Sequence, residues 1–140
     1  MKYRITVIED NVPDIVLLEH AMEKAGLSFE LLSIEDGVKA RAYLLETSVN
    51  RPDLVLLDLN LPLIDGLELL ECLCRQPDFE QVPVIVWSSA QSPRYLDAVS
   101  AFPVSRFIIK PTGLEGFLRI GPIIREVLEE KRASRAACPA

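Results

Sequence analysis

Residues 53–66 read DLVLLDLNLPLIDG. Leu54, Val55, Leu56 and Leu57 make a short, unbroken apolar run, the pattern of a strand covered on both faces rather than of a half-exposed one. The run ends on Asp58, and a carboxylate set against so apolar a strand is costly unless something pairs with it. Pro62 marks a loop, and Asp65-Gly66 then opens a leucine-rich helix reaching about Arg75. Strand, loop and helix in that order are one unit of a parallel crossover sheet.

The same unit recurs on either side. Arg4 to Ile8 reads as a strand, followed by a helix over residues 13–25 with Asn11 as cap, Pro13 in its first turn, and Ile15, Leu18, Met22 and Ala25 on one face. Gly26 stops that helix. Phe29 to Ile34 is a second strand, and Asp36 caps a helix carrying Val38, Ala42 and Leu45 before Pro52 resets the chain. Beyond the central unit, Val82 to Trp87 is a fourth strand, Ser92-Pro93 opens a helix to about Ala101, and Val104 to Ile109 is a fifth strand. Leu114 to Lys131 is the last helix, which Gly121-Pro122 is expected to kink or divide. Five strands alternating with five helices predict an α/β fold: a five-stranded parallel sheet, doubly wound, in three α/β/α layers. One domain over residues 1–131 is expected, with a flexible C-terminal tail over 132–140.

Composition narrows the classes of function. The chain of 140 residues carries a net charge of −6 with no concentrated basic face, which argues against direct nucleic-acid binding. No run of eighteen apolar residues and no signal-peptide pattern appear, so a cytoplasmic protein with no membrane contact is expected. Cys72, Cys74 and Cys138 are odd in number and read as reduced thiols. His20, the only histidine, falls opposite the apolar face of its helix and reads as exposed.

Ligands of an open parallel sheet bind beyond the carboxyl ends of its strands. Those ends carry Glu9-Asp10, Asp58, Ser88-Ser89 and Lys110-Pro111. Singly each is ordinary: Asp10 a cap, the serines turn residues, Lys110 a surface lysine. A role as caps and turns gives no reason for all of them to share one rim. Two carboxylates about 5 Å apart repel by roughly 3 kcal/mol at an effective dielectric near 20, so three together require positive charge. Lys110 supplies some, and oxygen-only donors suit Mg²⁺, expected to bind directly through Asp10 and Asp58. Carboxylate, metal, hydroxyl and ammonium together are an arrangement for phosphoryl transfer.

Over about residues 3–130 the stretches ITVIEDN, LVLLDLNLPLIDG, VPVIVWSSA and RFIIKP resemble, in order and spacing, the receiver domain of bacterial two-component response regulators. That resemblance implies the flavodoxin-like receiver fold and a phosphoacceptor signalling protein, not an enzyme acting on other substrates. It assigns Asp58 as acceptor of a phosphoryl group from a sensor histidine kinase, and Asp10 to Mg²⁺ with Glu9 acting through water. Asn60 would offer its backbone carbonyl to the metal, Ser88 its hydroxyl to the phosphoryl group, and Lys110 its ammonium. Ser88 and Phe107 would form the switch, and Pro111 would follow a cis peptide. Phe107 stands where a tyrosine is commoner and has no hydroxyl to bond, so its coupling would rest on packing. Ala90 offers no side chain to orient a water, which implies slow to intermediate loss of the phosphoryl group. Trp87 reads as core.

The stretches RQPDFEQVPVIVWSS and KPTGLEGFLRIGPIIREVL resemble single-domain regulators paired with phytochrome-type histidine kinases. With no effector domain after the last helix, a stand-alone regulator acting by protein contact is expected, with a homodimer through the last helix and its neighbours. Two alternatives are a degenerate receiver serving as a binding scaffold, and an aspartyl-phosphate hydrolase. The hydrolase would need a second aspartate where Asn60 stands.

Overall fold

A computed structural model describes residues 2–46, 51–89 and 93–137. Eleven elements follow one another: β1 (Tyr3–Ile8), α1 (Val12–Lys24), β2 (Phe29–Ile34), α2 (Gly37–Leu45), β3 (Leu54–Asp58), α3 (Gly66–Arg75), a 3-10 turn (Pro77–Phe79), β4 (Val84–Ser88), α4 (Pro93–Val99), β5 (Arg106–Ile109) and α5 (Leu114–Ala137). The strands pair in parallel in the order β2-β1-β3-β4-β5. The chain winds outward from β1 to β2, then crosses back to β3 and continues the other way. The switch point therefore lies between β1 and β3, where a ligand crevice belongs.

Alternation along the strands divides the core into two layers. Ile5, Val7, Leu54, Leu56, Ile85 and Trp87 meet α1 and α5, through Leu18, Met22, Phe117 and Ile124 among others. Ile8, Val55, Leu57, Val84 and Val86 face the opposite way and meet Ala40, Leu44, Leu69, Leu73 and Val99 from the other helices. All five residues of β3 are buried. Each fully buried Leu or Val there contributes about 1.5–3 kcal/mol, so the central strand is anchored from both sides and its last residue, Asp58, is held rigidly.

Several expectations require correction. The expected apolar face of α2 is reversed: Val38 and Leu45 are half-exposed and Ala42 is exposed, whereas Gly37, Ala40 and Leu44 are buried. Nine residues with apolar side chains on more than one face do not determine which stripe faces inward. β4 and β5 start later than read, at Val84 and Arg106. Before β4 the chain is still closing the 3-10 turn through Val82 N–H to the Phe79 carbonyl; before β5 it turns through Val104 N–H to the Phe102 carbonyl. α5 is one helix through Gly121-Pro122. The helix is not divided there: Pro122 is exposed, and Phe117, Ile120, Ile124, Val127 and Leu128 stay buried across it, so packing on the core carries the helix past the proline. α5 also continues to Ala137, six residues past the expected boundary; its end is rich in Ala and Arg, good helix formers. Arg135 there lies 4.0 Å from Asp53. Cys72 and Cys74 are free and half-buried, while Ser92 and Cys138 lie outside the described residues.

Candidate functional site

Register brings the rim together. Ile8 pairs with Leu57, Leu57 with Val86 and Val86 with Phe107. The residues just beyond these rows therefore emerge side by side at one end of the sheet. Glu9 and Asp58 are buried, Asp10 is exposed, and one carboxylate oxygen from each lies within 4.8 Å of the others. Lys110 reaches across from the end of β5: its Nζ stands 2.7 Å from Glu9 Oε2, 3.1 Å from Asp58 Oδ2 and 3.1 Å from Asp14 Oδ2. The same ammonium lies 4.9 Å from the centroid of the Trp87 ring, a cation–π contact.

Short-range geometry fixes the acceptors. The Asn60 N–H donates to Asp58 Oδ1 at 2.9 Å, closing a turn directly after β3. Asn60 Nδ2 donates to Ser88 Oγ at 2.9 Å and to Ser89 Oγ at 3.3 Å, tying the β3 loop to the end of β4. Glu9 Oε1 accepts the Asn11 N–H at 3.1 Å. Gly66 closes the same loop from below. A Cβ there would collide with the Leu59 backbone, so only glycine lets the first turn of α3 press against the residue after Asp58.

The charges are out of balance. Burial pushes the Glu9 carboxyl up to about 8; the Lys110 bond draws it down and the neighbouring Asp58 charge raises it again. For Lys110 burial acts to lower the pKa, but the Glu9 bond and the Asp58 charge outweigh it and hold the ammonium above the ordinary lysine range. Lys110 is therefore a fixed cation at neutral pH facing an excess of acid. Oxygen-only donors with surplus negative charge fit a divalent metal.

The structure thus gathers Glu9, Asp10, Asp58, Asn60, Ser88 and Lys110. Phe107 is half-buried against the α3 and α4 side of the core, in the last strand row before the rim. Trp87 is fully buried, as read, and additionally backs Lys110. His20 is exposed. The Lys110–Pro111 peptide is not cis: no cis bond occurs among the described residues. The trans amide is intrinsically favoured at X-Pro by about 0.5–1 kcal/mol, and with it Lys110 N–H reaches the Ser88 carbonyl at 3.0 Å while its ammonium reaches the acids. Ala90 lies outside the described residues. Asp14, on the Lys110 ammonium, is the member of this group that sequence reasoning missed. Its only signal was an acid one helical turn after Asp10, which a favourable helix dipole explains equally well.

Comparison with known proteins agrees with this geometry. Residues 5–120 match the family model of the response regulator receiver domain. The chain is 29% identical over 120 residues to response regulator Rcp1 of Synechocystis sp., spanning 83% of this chain and 82% of that protein. It superposes on the crystal structure of the phosphorylated cyanobacterial phytochrome response regulator RcpA with a TM-score of 0.80 at 32% identity, covering 90% of this chain and 93% of that one. On the Mn²⁺-bound form of Rcp1 the TM-score is 0.78 at 28% identity, covering 87% and 91%. The family model covers most of the chain, and the chain belongs to the response regulator receiver domains.

Proposed function

We propose that Asp58 accepts a phosphoryl group from a sensor histidine kinase and that its charge resets the contacts of Ser88 and Lys110. The observation that carries this reading is the placement of Asp58: a buried carboxylate at the end of the central strand, with one oxygen on the Asn60 amide and the other on Lys110. Mg²⁺, held through Asp10, Asp58 and the Asn60 carbonyl with Glu9 acting through water, would supply positive charge against the equatorial phosphoryl oxygens. The residues do the rest. An Asp58 oxygen attacks phosphorus and the donor's leaving group departs with the bonding electron pair, leaving an acyl phosphate on the protein. Lys110 neutralises a phosphoryl oxygen, and the Ser88 hydroxyl, now bonded to Asn60, gains a stronger acceptor. Phe107, paired with Val86 of β4, would follow the end of β4 by repacking.

The similarity to Rcp1 and RcpA supports a phytochrome-type kinase as donor. Among the described residues no helix is long and apolar enough to cross a membrane. A homodimer remains part of the proposal. The test is incubation with Mg²⁺ and acetyl phosphate followed by intact mass. The wild-type chain should gain one phosphoryl adduct and Asp58→Asn none; an adduct retained in Asp58→Asn would move the acceptor elsewhere.

A further inference from the structure

Lys110 has three N–H donors, and three carboxylates surround it: Glu9, Asp58 and Asp14. Two of these belong to the acid group that fits a metal; Asp14 does not. It stands at the third position of α1, where its own N–H donates to the Asn11 cap at 3.0 Å. Since Asn11 N–H donates to Glu9 Oε1, the contacts close a ring: Glu9, Lys110, Asp14, Asn11 and back to Glu9. The ring binds the start of α1 to the end of β5 and fixes the Asp14 carboxylate on the ammonium, with only 21% of the side chain exposed. An acid serving the helix dipole alone needs no such contact.

Both oxygens of Asp58 are engaged, Oδ1 by Asn60 and Oδ2 by Lys110. Each oxygen keeps a second lone pair, but the bond to the ammonium draws electron density from Oδ2, so that oxygen attacks phosphorus best once Lys110 has moved off it. We propose that Asp14 is a positioning residue for Lys110, keeping the ammonium in the site while Asp58 Oδ2 releases it. The proposal rests on the phosphoacceptor reading above. Without the Asp14 charge the lysine has only Glu9 and Asp58 to bind, and it clamps the nucleophile and competes with any cation for the acid group.

Asp14→Asn removes the charge and leaves the main-chain cap intact, while Asp14→Glu restores the charge. At saturating Mg²⁺, phosphorylation by acetyl phosphate should slow by about five- to tenfold in Asp14→Asn and stay within about twofold of wild type in Asp14→Glu. In chelator, emission of Trp87, the only tryptophan, should change in Asp14→Asn as the ammonium above it moves. Mg²⁺ affinity by calorimetry should weaken about threefold in Asp14→Asn, and this loss should vanish in a Lys110→Ala background, since coupled residues are not additive. A rate within twofold of wild type for Asp14→Asn, or an affinity loss undiminished in Lys110→Ala, overturns the proposal. If the wild-type chain takes no phosphoryl group, the phosphoacceptor reading fails instead, and the calorimetric cycle still decides whether Asp14 acts through Lys110.

Discussion

Raising the pH of metal-free protein should destabilise it through Glu9. This carboxyl is fully buried, and its pKa is raised to about 8 from an ordinary 4.5. A group whose native pKa exceeds its unfolded one holds its proton more tightly when folded. Its contribution to stability is complete below about pH 4.5, shrinks as pH rises and is gone above about 8. Each pH unit inside that window removes about 1.4 kcal/mol, and the whole window on the order of 5 kcal/mol. At roughly 3 °C per kcal/mol for a chain of this size, the melting midpoint should fall by about 15 °C across the whole window. Lys110 adds nothing to the slope there: its raised pKa stabilises fully below the ordinary lysine value and is lost only at more alkaline pH. The assay is a series of thermal melts in chelator from pH 5 to 9, comparing the wild type with Glu9→Gln, which keeps the size and removes the titration. Other carboxylates contribute alike to both proteins, so the difference isolates Glu9. Parallel curves for the two proteins would refute the reasoning, because the burial of Glu9 would then cost its charged form nothing.

Two further outcomes test how the scaffold holds the site. Gly121→Ala places a Cβ against the Ala21 carbonyl oxygen, a backbone atom that cannot swing aside, so α1 and α5 must separate at a cost of about 1–3 kcal/mol; a melting temperature within a degree of wild type would contradict that close approach. Leu63 has a φ of 76° and is 79% exposed, so Leu63→Asn loses little burial and places a residue tolerant of left-handed backbone there. Chemical denaturation should show a gain of about 1 kcal/mol, and a loss would mean that the leucine makes contacts its exposure denies.

Sheet, layers and topology were legible because each strand carries its own signal. A continuous apolar run such as Leu54 to Leu57 has one structural solution at that length, and caps such as Asn11, Asp36 and Asp65 mark where the helices begin. The errors fall where the signal is a competition. Pro122 breaks an isolated helix, but the apolar stripe from Phe117 to Leu128 packs across it and prevails. In α2, Val38 and Leu45 are more apolar than Ala40, yet the face that fits the sheet is the one carrying Gly37, Ala40 and Leu44. Tertiary fit decides such cases, and no window of sequence contains it.

The site shows the same division. Its rim was legible because strand ends converge by topology alone, and Glu9, Asp58 and Lys110 needed only their places in the strand order to meet. Asp14 was not, because its place in the site depends on the angle at which α1 leaves β1, and its partner lies 96 positions away. Adding it changes the electrostatic problem. Glu9, Asp14 and Asp58 all pair with one ammonium, the last two through hydrogen bonds, while Asp10 stands beside two of them, so the lysine's position is contested rather than fixed. One further negative charge about 4 Å from that ammonium weighs roughly 4 kcal/mol at an effective dielectric of 20. Moving a two-state equilibrium from end to end takes about 5.5 kcal/mol. A doubly charged group at Asp58, one charge more than the free carboxylate, therefore supplies most but not all of that shift toward drawing Lys110 off its other partners, and the carboxylate that loses least by this is the most solvent-exposed of the three, Asp14.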